Sequence, residues 1–239
     1  MISVCLATYN GAQFIEQQVR SVLAQISEND ELIIADDGST DSTVDKLLAF
    51  KDVRIKIISG VSSLGIVKNF ERALVEAKGD IIFLCDQDDV WLAGKVEACV
   101  NALETSILVV TNCKVVDAEL NTIADSFFYT RKSGAGILKN IAVNSYLGCC
   151  MAFNKRLLNF ALPMPANLPM HDMWLGLIAE SEGEVSFLPE PLLLYRRHSN
   201  NASPTASKSH FSLLKKVSYR MTLSYLLLSR LIVNKLKRF

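Results

Sequence analysis

Residues 83–91 of the chain read Phe-Leu-Cys-Asp-Gln-Asp-Asp-Val-Trp, and this stretch decides how the rest of the sequence is interpreted. The three carboxylates follow the apolar run Ile81–Leu84, which predicts a buried strand ending in clustered negative charge. Two carboxylates about 5 Å apart repel by roughly 3 kcal/mol at an effective dielectric near 20, so a divalent cation is their natural partner. A solvated polar turn is the alternative, weakened because apolar residues resume at Val90 and Trp91.

The charge of the chain is zero overall but unevenly distributed. The chain has 239 residues, half of them hydrophobic, which is enough for a substantial core in one large domain. Residues 205–239 carry eight basic side chains and no acidic one, so the first 204 residues hold 17 basic and 25 acidic side chains. An acidic body argues against nucleic acid as the main partner.

The six cysteines form no Cys-x-x-Cys pair and lie mostly in apolar runs. This pattern favours reduced, buried thiols in a cytoplasmic protein over a disulfide framework or a zinc site. No basic region precedes the apolar residues Ile2–Leu6, so we expect a first strand there and not a signal peptide.

The first hundred residues alternate between two kinds of apolar pattern. Short apolar runs predict four strands: Ile2–Ala7, Glu31–Ala35, Arg54–Ser59 and Ile81–Cys85. Segments of helical period follow them: Phe14–Gln25, Thr43–Phe50, Val67–Ala77 and Lys95–Leu103. This alternation predicts right-handed βαβ units, and therefore an α/β fold with a mostly parallel sheet flanked by helices. Ligands of such sheets bind beyond the carboxyl ends of the strands.

The second half of the chain is less regular. The predicted strands are Leu108–Thr111, Tyr146–Phe153, Val185–Leu188 and Leu192–Tyr195. The predicted helices are Ile137–Val143, Met173–Glu180 and the segment of helical composition Phe211–Phe239. The remaining stretches, Asn121–Gly136 and Ser199–Ser209, are predicted to be a loop and a linker.

Polar residues follow three of the four early strands, where they are expected to converge on one crevice. Tyr9, within Thr8-Tyr9-Asn10, could stack on a planar base, although packing is the commoner role of a lone tyrosine. Asp36 and Asp37 precede Gly38, and turn and cap chemistry explains the glycine but not two aspartates at a strand end. Their carboxylates could accept hydrogen bonds from a base N–H or from ribose hydroxyls.

Two common phosphate-binding motifs are absent. The sequence contains neither Gly-x-Gly-x-x-Gly after the first strand nor Gly-x-x-x-x-Gly-Lys-[Ser/Thr] anywhere. A phosphate-bearing ligand would therefore need the cation proposed at Asp86 and Asp88. Asp172, following Pro169, could be catalytic or simply cap a helix, and His198 could bind metal or be an ordinary surface histidine.

Taken in order, these elements resemble an inverting family-2 glycosyltransferase with the GT-A nucleotide-sugar fold over about residues 1–200. The segments at Thr8-Tyr9-Asn10 and Asp36-Asp37 resemble the nucleoside-binding segments, with Tyr9 near the base and Asp37 reaching its imide N–H. Asp86-Gln87-Asp88 is similar to the metal-binding Asp-x-Asp motif. The resemblance implies that Asp88 binds Mg²⁺ or Mn²⁺ directly and that Asp86 lies nearer the ribose.

The resemblance also implies roles for residues of the second half. Asp172 takes the place of the catalytic base in the family's Glu-Asp pair, and we expect it to be ionised with its usual pKa. Gly148 resembles the glycine of the acceptor-side loop, and Trp174 is also assigned to the acceptor side. His171 stands where Glu is commoner, so its role on that side is open. His198 resembles the C-terminal histidine that helps to hold the metal or the diphosphate, and Arg196 or Arg197 is expected to stabilise the diphosphate.

The implied activity is transfer of one sugar, because the Gln-x-x-Arg-Trp motif of processive synthases is absent. The donor would be a UDP- or dTDP-linked sugar and the acceptor a saccharide, plausibly lipid-linked, as in bacterial rhamnosyltransferase-like enzymes of surface-polysaccharide assembly. A nucleotidyltransferase and a non-catalytic nucleotide-sugar-binding protein are the alternatives. The expected domain is residues 1–204, with a nucleotide-binding half (1–105) and an acceptor half (106–204).

Residues 205–239 are expected to form a linker and a basic amphipathic helical tail. Basic and apolar residues alternate in 211–239, which is typical of a helix on an anionic membrane surface. The alternative is a helix packed on the catalytic body or on another subunit. The membrane interpretation places the protein in the cytoplasm, peripheral on the inner face of the plasma membrane.

Overall fold

The computed structural model describes residues 1–60, 63–198, 201 and 213–236, and for 213–217 the backbone alone. Its strands are β1 (Ile2–Thr8), β2 (Glu31–Asp36), β3 (Ile55–Ser59), β4 (Ile81–Asp86), β5 (Val90–Trp91), β6 (Leu108–Val116), β7 (Thr122–Ala124), β8 (Met151–Asn154) and β9 (Val185–Arg196). Its α-helices are α1 (Ile15–Leu23), α2 (Thr43–Leu48), α3 (Ile66–Glu76), α4 (Lys95–Ala102), α5 (Phe127–Arg131), α6 (Ile137–Ala142), α7 (Leu158–Ala161), α8 (His171–Glu182) and α9 (Leu213–Leu236).

The strands form one sheet in the order β3-β2-β1-β4-β8-β6-β9-β5, with β7 paired to β6. The first four strands in this order are parallel to one another. Strands β1 and β2 are buried at nearly every position, as expected where helices cover both faces of a parallel sheet. The four early strands and four early helices are confirmed, with ends that differ by a few residues from the prediction.

The other half of the sheet is mixed. Strand β8 runs antiparallel to both β4 and β6, whereas β9 is parallel to β6 and antiparallel to β5. The prediction of two separate strands, Val185–Leu188 and Leu192–Tyr195, is wrong, because both segments belong to the single strand β9. Its exposed middle contains Pro189 and Pro191, and the pairing with β6 shifts register beside them. Proline donates no backbone hydrogen bond, so the pairing is irregular here although the strand continues. In the sequence alone, the same prolines look like the end of one strand and the start of another.

Two further predictions in this half are wrong in part. The loop predicted over residues 121–136 contains β7, which pairs with β6, and α5. The Asn112 side chain holds the start of α5, since it donates to Ser126 and Pro189 and accepts from the Phe128 backbone. The strand predicted from Tyr146 is a 3₁₀ turn over Gly148–Cys150 before β8. An apolar run does not separate a buried turn from a buried strand.

The helix predicted near the C-terminus is confirmed as α9, and one face of it packs on the body against α8. Leu223 and Leu227 are buried in this contact, and Arg230 donates to the carbonyls of Phe160 and Leu162. Arg220 also donates to a carbonyl of the body. Part of the predicted positive charge therefore attaches the helix to the domain. The described structure does not include Phe211, Lys208, Lys237, Arg238, Phe239 or the side chains of Lys215 and Lys216.

The cysteines are in the state that their positions in the sequence predict. All six cysteines lie in described segments, and each is buried and unpaired, as predicted. No helix in the described residues combines the length and apolar character that crossing a membrane requires.

Candidate active site

The carboxyl ends of β1, β2 and β4 meet the first residues of α3 and α8 around a cavity of about 280 Å³. Eight of the residues predicted from the sequence line this cavity: Thr8, Tyr9, Asp37, Asp86, Asp88, Gly148, His171 and Asp172. The structure thus brings together Asp88 from the first half of the chain and Asp172 from the second.

The turn after β1 presents one side chain to the cavity and uses another to shape the loop. Tyr9 is 49% exposed at the cavity wall, so its ring is accessible to a planar ligand. Asn10 is not a lining residue. Its side-chain oxygen accepts from the Thr40 N–H (2.8 Å), and its own N–H donates to the Ser39 hydroxyl (2.8 Å). Asn10 therefore ties the turn after β1 to the turn after β2.

The two aspartates at the end of β2 have different environments. The carboxylate of Asp36 accepts from the Gly38 and Ser39 backbone within its own turn, and Asp36 does not line the cavity. Asp37 does line it, but its oxygens accept from the Leu64 N–H (2.7 Å) and the Gly65 N–H (2.9 Å). Asp37 thereby fixes the start of α3. The alternative of turn chemistry describes Asp36 better than ligand binding does.

Gln87 connects the acidic turn after β4 to the turn after β1. Its side-chain oxygen accepts from the Thr8 hydroxyl (2.6 Å) and the Tyr9 N–H (2.9 Å). Its amide nitrogen donates to the Tyr9 carbonyl (3.2 Å). The side chain therefore pairs with the Tyr9 backbone on both sides, much as a neighbouring strand would, and sets the position of Tyr9 relative to Asp88.

Asp88 has an arrangement that suits a metal ion. Its Oδ2 lies 2.8 Å from His198 Nε2 and 3.0 Å from Asn201 Nδ2. Asp88 and Asn201 line the cavity, whereas His198 reaches Asp88 without being one of the lining residues. Oxygen ligands with one imidazole suit Mg²⁺ and, better, Mn²⁺. The residues predicted to bind metal, Asp88 and His198, thus fit the ion.

A second group of possible metal ligands includes both sequence neighbours of the Gln87-Asp88 pair. Ligand atoms of Asp86, Asp89 and Cys149 lie within 4.8 Å of one another. Burial raises the pKa of Asp86 to about 8, with the charges of Asp88 and Asp172 adding to the effect, and burial also raises the pKa of Asp89. Because burial also keeps the Cys149 thiol protonated, by raising its pKa, this trio is a poorer site for a hard cation than Asp88 and His198.

The predicted contact of Arg196 with the diphosphate needs correction. The Arg196 guanidinium donates to the carbonyl of Asp88 (2.7 Å) and to Gln17 (2.6 Å), and the Arg196 backbone N–H donates to Asp89 (2.9 Å). Arg196 is buried and does not line the cavity, so it holds the acidic turn in place and is not available to a diphosphate. Arg197 contacts Tyr195, a lining residue, and its role at the diphosphate stays a prediction.

Trp174 was predicted on the acceptor side and lies in the core. It is fully buried, its indole N–H donates to the Ala161 carbonyl (3.0 Å), and Arg230 stacks over its ring. It follows Asp172 by two residues on α8, which places the two side chains on opposite faces of the helix. Its position after Asp172 in the sequence therefore misled the assignment.

Asp172 lies in the first turn of α8, at the cavity wall. Its Oδ1 accepts from the Met173 N–H (2.6 Å), and the Gly148 backbone also donates to the carboxylate. Burial nevertheless raises the pKa of Asp172 to about 6, so the expectation of an ordinary pKa was wrong. At neutral pH the carboxylate is still mostly ionised, and it is a stronger base than a solvated aspartate.

His171, the residue beside Asp172, is 3% exposed and stacks on Phe70 with ring centroids 4.1 Å apart. Burial lowers the pKa of His171 to about 3, so the imidazole is neutral. A β-carbon placed on Gly148 would lie 2.9 Å from His171 Nε2, which explains why only glycine fits beside this ring. Gly148, His171 and Asp172 form the part of the cavity wall that comes from the second half of the chain.

Comparison with known proteins identifies the family. Residues 3–160 match the sequence profile described as Glycosyl transferase family 2. The chain belongs to this family.

Two curated relatives of this family-2 glycosyltransferase are named as sugar transferases. The chain is 30% identical over 186 residues to WfgD of Escherichia coli, named a UDP-Glc:alpha-D-GlcNAc-diphosphoundecaprenol beta-1,3-glucosyltransferase, with 76% of this chain and 71% of WfgD covered. It is 28% identical over 219 residues to the dTDP-rhamnosyl transferase RfbG of Shigella flexneri, with 82% and 72% covered. The predicted resemblance to the rhamnosyltransferase-like branch is confirmed at this level.

Solved structures confirm the GT-A fold. TarS of S. aureus in complex with UDP-GlcNAc superposes with a TM-score of 0.71 at 18% identity, covering 93% of this chain and 66% of that one. The mannosyltransferase PcManGT of Pyrobaculum calidifontis, in complex with GDP-Man and Mn²⁺, gives a TM-score of 0.65 at 20% identity, with 83% and 57% covered. The chain therefore spans two thirds or less of the solved structures that it matches.

Several residues that line the cavity of this glycosyltransferase were not among the site residues predicted from its sequence. Ser63, Gly65, Asn69, Met170, Tyr195 and Asn201 all line the cavity. Gly65 has a positive φ of 81° ahead of α3, which a Leu-Gly pair before a helical pattern could have indicated. Asn201 fell in the predicted linker, and its contact with Asp88 depends on how the chain folds back after β9.

Proposed function

We propose that this chain transfers one sugar from a nucleoside-diphosphate sugar to a hydroxyl of a saccharide acceptor, with inversion at the anomeric carbon. The observation that carries the proposal is that Asp88 and Asp172 line the same cavity of about 280 Å³. One residue belongs to a site that suits a metal ion and a diphosphate, and the other is a buried base. Proton abstraction and departure of a diphosphate are the two events that such a transfer requires.

The nucleoside of the donor binds at the ends of β1 and β2. The accessible ring of Tyr9 supports stacking on a uracil or thymine, as in a UDP- or dTDP-linked sugar. Asp37 supports the same site by fixing the loop before α3. Asp86, at the end of β4, lies beside this position and next to the metal site.

Asp88 and His198, with Asn201 beside them, would hold Mg²⁺ or Mn²⁺. The ion would neutralise charge on the diphosphate as it leaves. Arg196 contributes indirectly, since its contacts with Asp88 and Asp89 keep the acidic turn in shape.

Asp172 carries out the proton transfer. Its carboxylate takes the proton of an acceptor hydroxyl while that oxygen forms a bond to the anomeric carbon. The bond from this carbon to the diphosphate oxygen breaks, and the diphosphate leaves with the electron pair. The hydrogen bonds from Met173 and Gly148 fix the carboxylate, and its burial raises its basicity.

The acceptor is a lipid-linked saccharide at the inner face of the plasma membrane, and α9 supports this part of the proposal. A row of apolar side chains, each 61–70% exposed, runs along the helix face opposite the docked one: Met221, Tyr225, Leu228, Ile232 and Leu236. Because they are spaced three or four residues apart, they form one continuous apolar stripe along the helix. The absence of acidic residues from 205–239 favours an anionic membrane over a second copy of this basic helix.

The catalytic part is tested by incubating the protein with UDP- and dTDP-sugars, Mn²⁺ and a saccharide diphosphate acceptor carrying a short alkyl chain. We expect metal-dependent transfer to one acceptor of a panel, and slow release of nucleoside diphosphate without acceptor. NMR of the product should show the anomeric configuration inverted. Binding of nucleotide sugar with neither transfer nor hydrolysis would instead indicate the non-catalytic alternative.

The membrane part is tested by flotation with anionic phospholipid vesicles. The variant Leu228→Ser/Ile232→Ser should stay in the soluble fraction, whereas the wild type should float. Val53→Ser is the matched control, since Val53 is 97% exposed but lies far from α9 in the sequence. Equal flotation of all three proteins, or association of the wild type into dimers that the double variant abolishes, would refute the membrane role.

A further inference from the structure

His171 is a buried polar residue whose hydrogen-bonding groups are unused. Among the described residues neither ring nitrogen, Nδ1 or Nε2, has a hydrogen-bond partner. The side chain is nevertheless almost fully buried, and it lines the cavity. Buried polar groups normally find a partner, because leaving one unsatisfied costs free energy. Both ring nitrogens are themselves buried, so a ligand in the cavity reaches them through a small movement of the wall at Gly148 and then supplies the missing partner.

The surroundings of His171 place it beside the base. A β-carbon on Gly148 would lie 2.9 Å from His171 Nε2 and 3.6 Å from the Cβ of Asp172, so both side chains lie against the same residue. The stacking on Phe70, with 26° between the ring planes, fixes the orientation of the imidazole. Any sugar whose hydroxyl contacts Asp172 therefore comes close to a rigidly held imidazole.

The chemistry of the imidazole limits what it can bind. Since burial lowers the pKa of His171 to about 3, the ring is neutral at physiological pH and offers one N–H donor and one nitrogen acceptor. A hydroxyl group can both donate and accept, and it matches this ring. A phosphate, which prefers a cation, does not.

We propose that His171 hydrogen-bonds a second hydroxyl of the acceptor saccharide, close to the hydroxyl that Asp172 deprotonates, and so helps to select the acceptor. The proposal rests on the proposed glycosyl transfer. The acceptor is favoured over the donor sugar because Gly148, His171 and Asp172 come from the second half of the chain, whereas the turns proposed to bind the nucleotide follow β1, β2 and β4. His171 is thus a specificity residue beside the catalytic base.

The first experiment measures steady-state kinetics of His171→Phe, His171→Gln and His171→Asn. Phenylalanine keeps a flat ring against Phe70 and removes both nitrogens. It should raise the KM for the acceptor by about tenfold, the effect of one lost hydrogen bond, without changing the KM for the nucleotide sugar. Glutamine mimics Nε2 and asparagine mimics Nδ1, so the variant that restores acceptor affinity identifies the nitrogen used. The thermal midpoint of each variant checks that it is folded.

A second experiment does not depend on turnover. The chain has three histidines, so ¹⁵N spectra of the imidazole nitrogens can be assigned with His171→Phe and His198→Gln. Adding a panel of alkyl saccharide diphosphates and methyl glycosides to protein saturated with UDP and Mg²⁺ should shift the His171 nitrogens. Adding UDP and Mg²⁺ alone should leave them unchanged.

The outcomes separate this proposal from the proposed function. If folded His171→Phe shows an unchanged acceptor KM, or raises the KM of the donor equally, the assignment of His171 is wrong although glycosyl transfer stands. If the protein binds nucleotide but no saccharide of the panel shifts a His171 signal, His171 is again excluded. If the protein binds no nucleotide sugar, the proposed function itself fails, and with it the proposal.

Discussion

The proposed nucleotide-binding half (residues 1–105) and the proposed acceptor half (residues 106–204) of this glycosyltransferase build their parts of the cavity in different ways. In the nucleotide-binding half, four parallel strands end at one edge, and the turns that follow β1, β2 and β4 carry the site residues. In the acceptor half, the cavity wall comes from a 3₁₀ turn at Gly148 and the first turn of α8. The first half therefore depends on repeated local pattern, and the second on how irregular segments pack together.

The largest expected effect tests the acceptor half. Asp172→Asn removes the base and should lower kcat by about 10²–10⁴-fold, the usual contribution of general base catalysis. Isothermal titration with UDP and Mn²⁺ should give an affinity close to that of the wild type, because the nucleotide-binding turns are untouched. Transfer at the wild-type rate would show that another group takes the proton.

The thermal stability of the same variant tests the raised pKa of Asp172. Because burial raises the pKa of Asp172 to about 6, the ionised carboxylate lowers the stability of the folded state at pH 7. Asp172→Asn should therefore unfold at a higher temperature at pH 7, with a gain of up to about 3 kcal/mol. The gain should vanish near pH 4, where the wild-type carboxyl is already protonated in the folded state. A less stable variant at pH 7 would contradict the raised pKa.

The second prediction tests the nucleotide-binding half. Asp88→Asn should weaken Mn²⁺-dependent binding of UDP and lower transfer by about 10–100-fold at limiting Mn²⁺. His198→Gln should have a smaller effect of the same kind. The control is Asp45→Asn, since Asp45 lies on α2 outside the cavity lining. If excess Mn²⁺ restores none of the activity that His198→Gln has lost, His198 acts in some way other than binding metal.

Sequence patterns predicted the first half well for a physical reason. The pattern of each βαβ unit lies in consecutive residues, so it is visible in the sequence. The parallel topology of the sheet then brings the carboxyl ends of the strands together. The same logic located Asp88 and, through the family resemblance, Asp172. It failed where the chain uses long-range contacts: Arg196 was assigned to the diphosphate, but its guanidinium reaches back to the Asp88 carbonyl and Gln17. Periodicity also could not show that Trp174 faces the core while Asp172 faces the cavity.

The third prediction concerns pH and connects the two halves. Because Asp172 must be ionised to accept a proton, kcat/KM for the acceptor should fall about tenfold for each pH unit below about 6. The measurement requires saturating metal and nucleotide sugar, so that titration of the acidic turn does not contribute. A single limb near pH 4 would indicate that bound substrates or metal return the pKa of Asp172 to its usual value.

The smallest expected effect concerns Gln87, whose place within an acidic motif gives no hint of its role. Gln87 pairs with the Tyr9 backbone and holds it relative to Asp88, so Gln87→Leu should raise the KM for nucleotide sugar by about 3–10-fold with little change in kcat. A β-carbon on Gly11 would lie 2.3 Å from Gln87 Oε1, so Gly11→Ala should displace the same amide.

The double variant then decides whether the two residues act through one contact. If the Gln87 amide is the link, Gly11→Ala adds nothing to Gln87→Leu, because the contact that it disturbs has already been removed. Additive effects would mean that Gly11→Ala acts on the turn after β1 directly. In that case Tyr9 is held by the β1 turn itself, and the nucleotide-binding half needs no link between its strand ends beyond the sheet.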